Sequence, residues 1–343
     1  MKNLSQYPIF IIGTSRSGTE LMSQILSKHS EVKIAMETHY FEDLRQQIGT
    51  GKKTLDIEET KRCQDYFLAL THKIYGEGGN PDRGWMKRDE LETLAKTIGD
   101  GADSYFEAFC RIYAAQDDKK RWGEKTPRHV FRINEILECY PNAKIIYMLR
   151  HPAGVAASYR NFWKLEKHSE IQRNRLKNSY NPIINSMLWK AALKAAINAI
   201  EQFGRERVYI QKFEDLIENP ESTIKAISNW TDLNYEPTTV KDIAVINSLY
   251  KDTDRNSGFL TQAADRWKKQ LDTGEIAVIQ SSCGKLLREV GYQTETITFK
   301  DSAVVAFSWL ALPLNFSKAL LANRDRMGNI FVYIWKRLRL ATN

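Results

Sequence analysis

Near its start the chain contains the stretch Pro8-Ile-Phe-Ile-Ile-Gly-Thr-Ser-Arg-Ser-Gly-Thr-Glu-Leu-Met22. The apolar run Ile9–Ile12 predicts a β-strand buried on both faces, and Thr19 to Lys28 predicts the helix that follows it. Between them, Gly13 and Gly18 have the spacing of a Walker-type phosphate loop, whose backbone amides bind a phosphate at a helix N-terminus. The stretch therefore predicts an anion-binding loop at the first strand of an α/β sheet.

The residues after this loop do not suit a nucleotide triphosphatase. Such an enzyme continues Gly-Lys-Ser/Thr, with the lysine on the β/γ-phosphates and the hydroxyl on Mg²⁺. Here Thr19 and Glu20 stand in those places, and Arg16 is the cation between the two glycines. The loop can hold an anion but is poorly built for magnesium. Its candidate ligands, through amides, hydroxyls and one guanidinium, are Thr14, Ser15, Arg16, Ser17, Gly18 and Thr19.

Composition and charge restrict the function classes. The 343 residues are 42% apolar and 27% charged, as in an ordinary soluble globular protein, and the formal net charge is +8. Such a charge suits anionic ligands, acidic substrates or a membrane surface, as well as plain solubility. Nucleic acid is disfavoured because the basic residues are scattered along the chain rather than gathered in one aromatic-rich run.

The cysteines and the chain ends favour a cytoplasmic protein. Cysteines at positions 63, 110, 139 and 283 are far apart, which predicts neither a zinc site nor a dense disulfide framework. Only seven mostly polar residues precede the first strand, so no signal peptide is expected. Near the other end, Ile330–Trp335 followed by Lys-Arg-Leu-Arg predicts an amphipathic helix, which either docks on protein or touches a membrane surface.

Strand and helix patterns alternate along the chain, which is typical of an α/β fold with a central parallel sheet flanked by helices. Further strands are predicted at Val32–Met36, Ala143–Leu149 and Val208–Lys212. Further helices are predicted at Arg128–Glu138, Pro182–Phe203, Pro220–Thr231 and Thr273–Val290. Residues from about 42 to 120 are predicted to form a mostly helical insertion. The main domain is predicted to cover residues 1–295, and residues 296–343 to form a C-terminal extension.

A second cationic motif follows the predicted strand Ala143–Leu149. Arg150 is at the carboxyl end of that strand, where open α/β sheets bind ligands, and Ser158 lies eight residues further on in the next helix. A magnesium enzyme usually has an aspartate at such a strand end. The arginine predicts instead a second phosphate site shared by Arg150 and Ser158. The plainer alternative is a salt bridge between Arg150 and a local acid.

Together these motifs resemble the family of sulfotransferases that use 3′-phosphoadenosine 5′-phosphosulfate (PAPS). The resemblance covers about residues 8–292. It rests on the order of Arg-Ser-Gly-Thr after the first strand, Trp122-Gly-Glu-Lys-Thr-Pro127, Arg150-His-Pro with Ser158, Phe213-Glu-Asp-Leu216, Arg266-Trp-Lys268 and Gly291-Tyr292. It implies a P-loop-like sulfotransferase fold in which loop 14–19 binds the 5′-phosphosulfate. By the same resemblance Arg150 and Ser158 bind the 3′-phosphate, and Arg266 and Lys268 close over the nucleotide.

The resemblance also implies the catalytic groups. Sulfuryl transfer to an alcohol needs a base for the hydroxyl proton and positive charge at the departing phosphate oxygen. Glu37 follows the second strand and matches the glutamate base of Golgi-type and bacterial relatives, whereas cytosolic aryl relatives use a histidine, so His39 is the alternative base. Lys125 and Arg16 are the candidate cations that stabilise the leaving group.

Glu20 departs from the family pattern. Many relatives have a second threonine at the position that Glu20 occupies in this chain. A carboxylate in the first turn of a helix suits the helix dipole but repels a bound anion. We therefore expect Glu20 to turn toward an Arg or Lys of a neighbouring element, and we do not count it among the donor ligands.

The predicted function is transfer of a sulfuryl group from PAPS to a hydroxyl or amine, with release of 3′,5′-ADP and no need for a metal ion. A nucleotide kinase or triphosphatase of related fold, and a non-catalytic binding protein, are the alternatives. The acceptor is left open among carbohydrate, lipid, peptide and small metabolite, and so is homo-oligomer formation.

Residues 160–177, with six Lys or Arg and two Glu, are either a solvated helix face or a lid over the acceptor.

Overall fold

A parallel β-sheet lies at the centre of the computed structural model. The structure describes residues 7–49, 51, 53–72, 79–165, 168–241, 243, 259, 261–315 and 317–318. The strands in these ranges are β1 (Ile9–Gly13), β2 (Val32–Ala35), β3 (Arg121–Lys125), β4 (Lys144–Leu149) and β5 (Val208–Lys212). Their order is β2-β3-β1-β4-β5, and all neighbours pair in parallel. The predicted α/β class is confirmed.

The first strand is covered by helices on both faces of the sheet. All five residues of β1 are buried, and successive side chains enter opposite layers of the core. Phe10 and Ile12 belong to the larger apolar cluster, whereas Ile9 and Ile11 belong to the smaller one. Phe10 packs at 6.2 Å, centroid to centroid, on Phe106 from the helical insertion. The continuous apolar run is therefore explained by burial on both sides.

Strand β3 is an element that the sequence does not predict, because three of its five residues, Arg-Trp-Gly-Glu-Lys, are charged. All five are buried nonetheless. Arg121 donates from Nε to the carbonyl of Tyr7 (2.6 Å) and from Nη1 to the carbonyl of Thr231 (2.5 Å). Burial lowers the pKa of Arg121 to about 10, so the guanidinium stays charged at neutral pH. Its hydrogen bonds make a charged strand compatible with the middle of the sheet.

Helices occupy most of the remaining described chain. They are α1 (Thr19–Ser27), α2 (Leu44–Ile48), α3 (Ile57–Thr71), α4 (Arg88–Ile98), α5 (Ala102–Ala115), α6 (Ile133–Cys139), α7 (Pro152–Phe162), α8 (Glu170–Asn178), α9 (Pro182–Phe203), α10 (Phe213–Glu218), α11 (Pro220–Trp230), α12 (Gln262–Asp265), α13 (Trp267–Gln270), α14 (Thr273–Glu289) and α15 (Phe299–Leu310). The predicted helix Arg128–Glu138 is instead a 3₁₀ turn, Pro127–Arg132, followed by α6. The insertion contains α2 to α5, as the mostly helical prediction for residues 42–120 requires.

The last described helix, α15, packs on α14. A capping box between Thr298 and Asp301 starts α15. Val304 of α15 lies against Gly274 of α14, where a Cβ added to the glycine would be 2.8 Å from the Val304 side chain. The predicted amphipathic segment 330–339 lies outside the described residues. Among the helices that the structure describes, none combines the length and the apolar character needed to cross a membrane.

Candidate active site

The predicted site residues gather where the five strands end. Loop 14–19 follows β1, Glu37 follows β2 by two positions, Lys125 is the last residue of β3, and Arg150 follows β4 directly. Because all strands are parallel, these carboxyl ends share one edge of the sheet. Open α/β sheets bind ligands at that edge, in the crevice outside the strand ends.

Loop 14–19 connects β1 to α1 through two residues in the left-handed region. Gly18 has a φ of +90° and Arg16 has a φ of +75°. The turn is closed by a hydrogen bond from the amide of Ser17 to the carbonyl of Thr14, at 3.1 Å. The Oγ of Ser17 is buried and has no hydrogen-bond partner among the described residues. This hydroxyl is therefore available to a ligand in the loop.

The N-terminus of α1 completes the loop. The helix begins at Thr19 with no side-chain cap, and the amides of its first turn have no acceptor inside the helix. Thr14, Ser17 and Thr19 are buried, whereas Ser15 is half-buried. Aligned amides and the helix dipole give this end of α1 a positive potential. The arrangement suits a phosphate or sulfate group.

Arg150 supports the loop from the end of β4. It donates from Nη1 to the carbonyl of Arg16 and from Nη2 to the carbonyl of Ala263, both at 3.0 Å. Burial lowers the pKa of Arg150 to about 10, the charge of Glu214 opposes this shift, and Arg16 and Arg266 add to it. Arg150 therefore stays protonated at neutral pH. Its Nε has no hydrogen-bond partner among the described residues and is free to donate to an anion.

Ser158 lies on α7 and reaches the loop through Arg16. The Nε of Arg16 donates to the Oγ of Ser158 at 2.9 Å, and the guanidinium lies 4.3 Å above the ring of Phe162. Arg16 thus bonds to Ser158 with its side chain and to Arg150 with its backbone carbonyl. The predicted partners Arg150 and Ser158 are brought together on either side of Arg16.

The ammonium of Lys125 lies between two carboxylates. Its Nζ is 2.6 Å from Oε1 of Glu37 and 2.8 Å from Oε2 of Glu20. Strand order explains this placement, because β3 lies between β2, which precedes Glu37, and β1, which leads to Glu20. Burial lowers the pKa of Lys125, but the two carboxylates outweigh it and the net shift is upward. Lys125 therefore remains charged, and Glu20 turns toward a lysine of a neighbouring strand.

Glu37 is held between Lys125 and His39. Its Oε2 lies 3.3 Å from Nε2 of His39, while Oε1 accepts a hydrogen bond from Lys125. Burial would raise the pKa of Glu37, yet the hydrogen bond with His39 and the charge of Lys125 lower it to about 2. A carboxylate with so low a pKa is ionised but weakly basic. Loss of either contact would raise the basicity of Glu37.

The buried carboxylate of Glu124 holds the Glu37–His39 segment against β3. Its Oε1 accepts hydrogen bonds from the amide (3.0 Å) and the hydroxyl (2.9 Å) of Thr38, and from the hydroxyl of Thr126. The same Thr126 oxygen accepts from the amide of His39 at 3.3 Å. Both candidate bases therefore flank a residue that is fixed by a fully buried carboxylate.

Behind Glu124, a buried histidine lies between two acids. Oε2 of Glu124 is 3.0 Å from Nδ1 of His129, and Nε2 of His129 is 3.3 Å from Glu42. Burial lowers the pKa of His129, but the two carboxylates more than reverse this and raise it to about 10. The histidine is therefore an imidazolium that neutralises part of the charge of Glu124.

Arg266 and Lys268 lie on the segment of α12 and α13, which meets the site where the carbonyl of Ala263 accepts a hydrogen bond from Arg150. Arg266 is close enough to lower the pKa of Arg150, so it adds to the positive charge there. Lys268 is half-exposed and pairs with Asp265 at 3.1 Å and with Glu295 at 3.9 Å. It lines a cavity of about 270 Å³ together with His151, Lys212 and Tyr292. Loop 14–19 does not line that cavity.

Comparison with known proteins identifies the family. Residues 8–237, well over half of the chain, match the model described as the sulfotransferase family. The chain belongs to this family. The matched range includes loop 14–19, Glu37, Lys125, Arg150 and Ser158.

Two relatives with names are distant but long matches to this sulfotransferase. Nodulation protein NoeE of Sinorhizobium fredii is 21% identical over 330 residues, which cover 89% of this chain and 71% of that protein. Protein-tyrosine sulfotransferase A of Caenorhabditis elegans is 21% identical over 292 residues, which cover 83% of this chain and 67% of that protein. Both alignments extend past the residues that the family model matches.

A solved structure supports the fold. The sulfotransferase domain of the olefin synthase from Synechococcus PCC 7002 is 18% identical, with a TM-score of 0.51, and the match covers 84% of this chain and 95% of that domain. At this identity the likeness speaks for the fold alone. The P-loop-like sulfotransferase fold expected from the sequence is confirmed.

Phe213, Phe162 and Glu124 are residues of the sulfotransferase site for which the sequence predicts no role. The guanidinium of Arg150 lies 4.3 Å above the ring of Phe213, and a Cβ at Gly18 would be only 2.4 Å from that ring. Gly18 is thus required by close approach as well as by its φ. The available signal was position, since Phe213 follows β5 as Arg150 follows β4. No comparable signal indicates the role of Glu124, because its burial depends on β3, a strand that the sequence does not predict.

Proposed function

We propose that this sulfotransferase takes its sulfuryl group from PAPS and transfers it to a hydroxyl or amine of an acceptor. The observation that carries the proposal is the convergence of Arg16, Arg150 and Arg266 at the carboxyl edge of the sheet, where each contributes to the electrostatics of the site. Such a cluster of like charges calls for a multiply charged anion. A donor with phosphate groups at both ends of a nucleoside meets that demand.

The residues present fit such a donor. The amides of loop 14–19 and the unpaired Ser17 Oγ would hold the 5′-phosphosulfate, which supports placing that end of PAPS at α1. The unpaired Nε of Arg150 would hold the 3′-phosphate together with Ser158. A Cβ at position 154 would lie 3.0 Å from that Nε, so Gly154 keeps the approach to it open. Arg266 and Lys268 would close over the nucleotide.

The acceptor would enter beside Glu37. When bound, PAPS supplies the sulfuryl group and leaves as 3′,5′-ADP. Glu37 takes the acceptor proton in our proposal, with His39 as the alternative base at 3.3 Å from it. Lys125 and Arg16 provide the positive charge that stabilises the departing phosphate oxygen, in a reaction that we propose to need no metal ion.

The acceptor class is chosen by residues outside this set. The name of one relative, protein-tyrosine sulfotransferase, makes a peptide tyrosine one candidate acceptor, beside carbohydrates, lipids and small metabolites. Helix α8, which covers the second half of the basic segment 160–177 and ends one residue beyond it, contains no buried residue, and this favours the solvated face over a packed lid. A labelled-sulfate transfer screen over these acceptor classes would select among them. We propose the cytoplasm as the compartment of the enzyme.

The donor assignment is tested by calorimetric binding of 3′,5′-ADP and 5′-AMP. The wild-type protein should bind 3′,5′-ADP more tightly, because only this nucleotide has a 3′-phosphate. Arg150→Ala should weaken 3′,5′-ADP binding by at least about tenfold, as expected for lost hydrogen bonds to a charged group, and should erase the preference over 5′-AMP.

Two further variants complete the test of the donor site. Ser158→Ala removes one hydroxyl and should reduce the preference for 3′,5′-ADP over 5′-AMP without altering the fold. This variant keeps the test valid if Arg150→Ala unfolds. Arg288→Ala removes an exposed arginine of α14 and should leave both affinities unchanged. Equal affinity of the wild-type protein for the two nucleotides, or magnesium-dependent ATP turnover, would contradict the proposed donor.

A further inference from the structure

Glu20 and Glu37 compete for one ammonium group. Lys125 Nζ is 2.8 Å from Glu20 and 2.6 Å from Glu37, and the lysine side chain is only 7% exposed. The Glu20 side chain is 41% exposed, so it alone of the three faces solvent to a large extent. One buried positive charge is therefore shared by two negative charges. Each carboxylate holds Lys125 less firmly than it would on its own.

The position of Glu20 has an electrostatic disadvantage for an anion-binding loop. It is the second residue of α1, where the helix dipole stabilises a carboxylate but where the same amides face the loop. A negative charge there repels any phosphate or sulfate bound at loop 14–19. A side chain that weakens donor binding in this way requires an offsetting benefit.

The benefit lies in where Lys125 is kept. If Glu37 were its sole partner, the ammonium would stay against Glu37 and keep that carboxylate weakly basic. With Glu20 on the loop side, Lys125 can move toward loop 14–19 and still have a neutralising partner. Glu37 is then released for the acceptor, while Lys125 approaches the bond that breaks.

We propose that Glu20 is a positioning residue: it draws Lys125 toward loop 14–19 and away from Glu37, at the expense of donor affinity. The proposal rests on the proposed function of the loop as the donor site. It predicts opposite effects on binding and on turnover, because removing the charge of Glu20 relieves repulsion of the donor but returns Lys125 to Glu37.

The test compares wild type with Glu20→Gln, which keeps the shape of the side chain and removes its charge. Calorimetric titration with 3′,5′-ADP should show about tenfold tighter binding, as expected for a like charge removed a few ångströms from an anion near the protein surface. Turnover at saturating PAPS, with an acceptor from the transfer screen, should fall by at least about tenfold. A merely structural role for Glu20 would weaken both.

A double-mutant cycle shows whether Glu20 acts through Lys125. In a Lys125→Met background, Glu20→Gln should still tighten 3′,5′-ADP binding, since that effect is direct repulsion, but should no longer change turnover. Glu58→Gln is the matched control, because Glu58 is also an exposed acid in the first turn of a helix, α3. The substitution changes the net charge by the same amount. It should alter neither quantity.

The outcomes separate this inference from the donor assignment. If wild type and Glu20→Gln bind 3′,5′-ADP equally well, or if turnover rises in Glu20→Gln, the positioning role is wrong while the donor site stands. If neither protein binds 3′,5′-ADP, the proposed function itself fails. The role of Glu20 would be supported if Glu20→Gln binds 3′,5′-ADP more tightly and turns over more slowly, and if Lys125→Met removes the effect on turnover but not the effect on binding.

Discussion

At the scale of single residues, the chemistry of the site depends on how Glu37 is paired. His39 and Lys125 both contact it, and together they lower its pKa to about 2 against the opposing effect of burial. The ordinary value for glutamate is 4.5, so the contribution of this ionised carboxylate to stability is present above that pH and is lost as the pH falls through about 2. Across the neutral range Glu37 stays ionised, which is the protonation state that a general base requires.

Substitution distinguishes the two candidate bases. Glu37→Gln should lower turnover by about 10²- to 10⁴-fold, the usual contribution of a general base, and should leave 3′,5′-ADP binding within about twofold of wild type. His39→Gln should lower turnover less, because the ring contacts Glu37 without being the proton acceptor. Steady-state kinetics together with calorimetry makes the comparison. Retained activity in Glu37→Gln and a large loss in His39→Gln would assign the base to His39.

Much of this residue-level geometry follows from sequence, because parallel strands end at one edge. Arg150 could be placed beside loop 14–19 once both were assigned to strand ends. The partner of Glu20 could not be named, since the contact with Lys125 depends on β3 lying between β2 and β1. Strand order is a long-range property that local patterns do not contain.

At the scale of elements, β3 and the turn after it form the rigid support of the site. Glu124 bonds to Thr38 on one side and pairs with His129 on the other, and His129 in turn pairs with Glu42. Glu124, Thr38 and His129 are fully buried and the Glu42 side chain is 8% exposed, so each depends on the others for compensation. The support connects β3 to the segment after β2, which contains both candidate bases.

This support predicts a loss of stability at alkaline pH. The pKa of His129 is raised to about 10 in the folded protein from an ordinary 6.5, so the folded state holds the proton more tightly than the unfolded state does. The stabilisation is complete below about pH 6.5 and disappears as the pH rises through about 10. Urea unfolding should therefore give a free energy of unfolding lower by about 1–3 kcal/mol at pH 9 than at pH 7.

Histidine variants serve as controls for this pH effect. His129→Gln should be less stable at pH 7 and should show a smaller change between pH 7 and pH 9, because the titrating group is gone. His72→Gln changes an exposed histidine and should reproduce the wild-type difference. An undiminished pH 7 to pH 9 difference in His129→Gln would show that other groups cause the alkaline loss.

The elements themselves were predictable to different degrees. Four strands and the long helices α9 and α14 could be predicted from apolar periodicity, because each buries a continuous face. The remaining strand, β3, could not be predicted, since its charged residues are compensated by partners as distant in sequence as Thr231 and Thr38. The same compensation is what brings Glu124 and Lys125 to the site.

At the scale of the whole molecule, helix α15 exposes an apolar surface, and the sequence that follows it is rich in basic residues. Phe299, Phe307 and Leu310 are 91%, 71% and 79% exposed. Beyond residue 295 the sequence has seven Lys or Arg and two Asp. Peripheral contact of this extension with an anionic membrane surface, and homo-oligomer formation, therefore stay predictions of the sequence, with apolar and basic groups available for either.

Vesicle binding tests the membrane prediction. The full chain should co-sediment with vesicles of phosphatidylserine and phosphatidylcholine, and less with phosphatidylcholine alone, because both charge and apolar contact contribute. The double substitution Phe307→Ser and Leu310→Ser should weaken binding by at least about tenfold. Ile57→Ser, at a 92% exposed position elsewhere, should have no effect. No sedimentation of the wild-type protein would contradict membrane contact, and equal sedimentation of all variants would contradict contact through α15. Sizing of the same samples reports the oligomeric state.

The common edge of the sheet has a consequence for how the protein reaches its active form. The site uses the ends of five different strands: loop 14–19, Glu37, Arg150 and Phe213 follow four of them, and Lys125 is the last residue of β3. The partners of these strands are separated by long stretches of sequence. Pairings between such distant segments form slowly, so the anion site is complete only after the last strand has docked. Nucleotide binding should accordingly slow unfolding and leave the rate of refolding unchanged, which makes it a kinetic reporter of the final folding step.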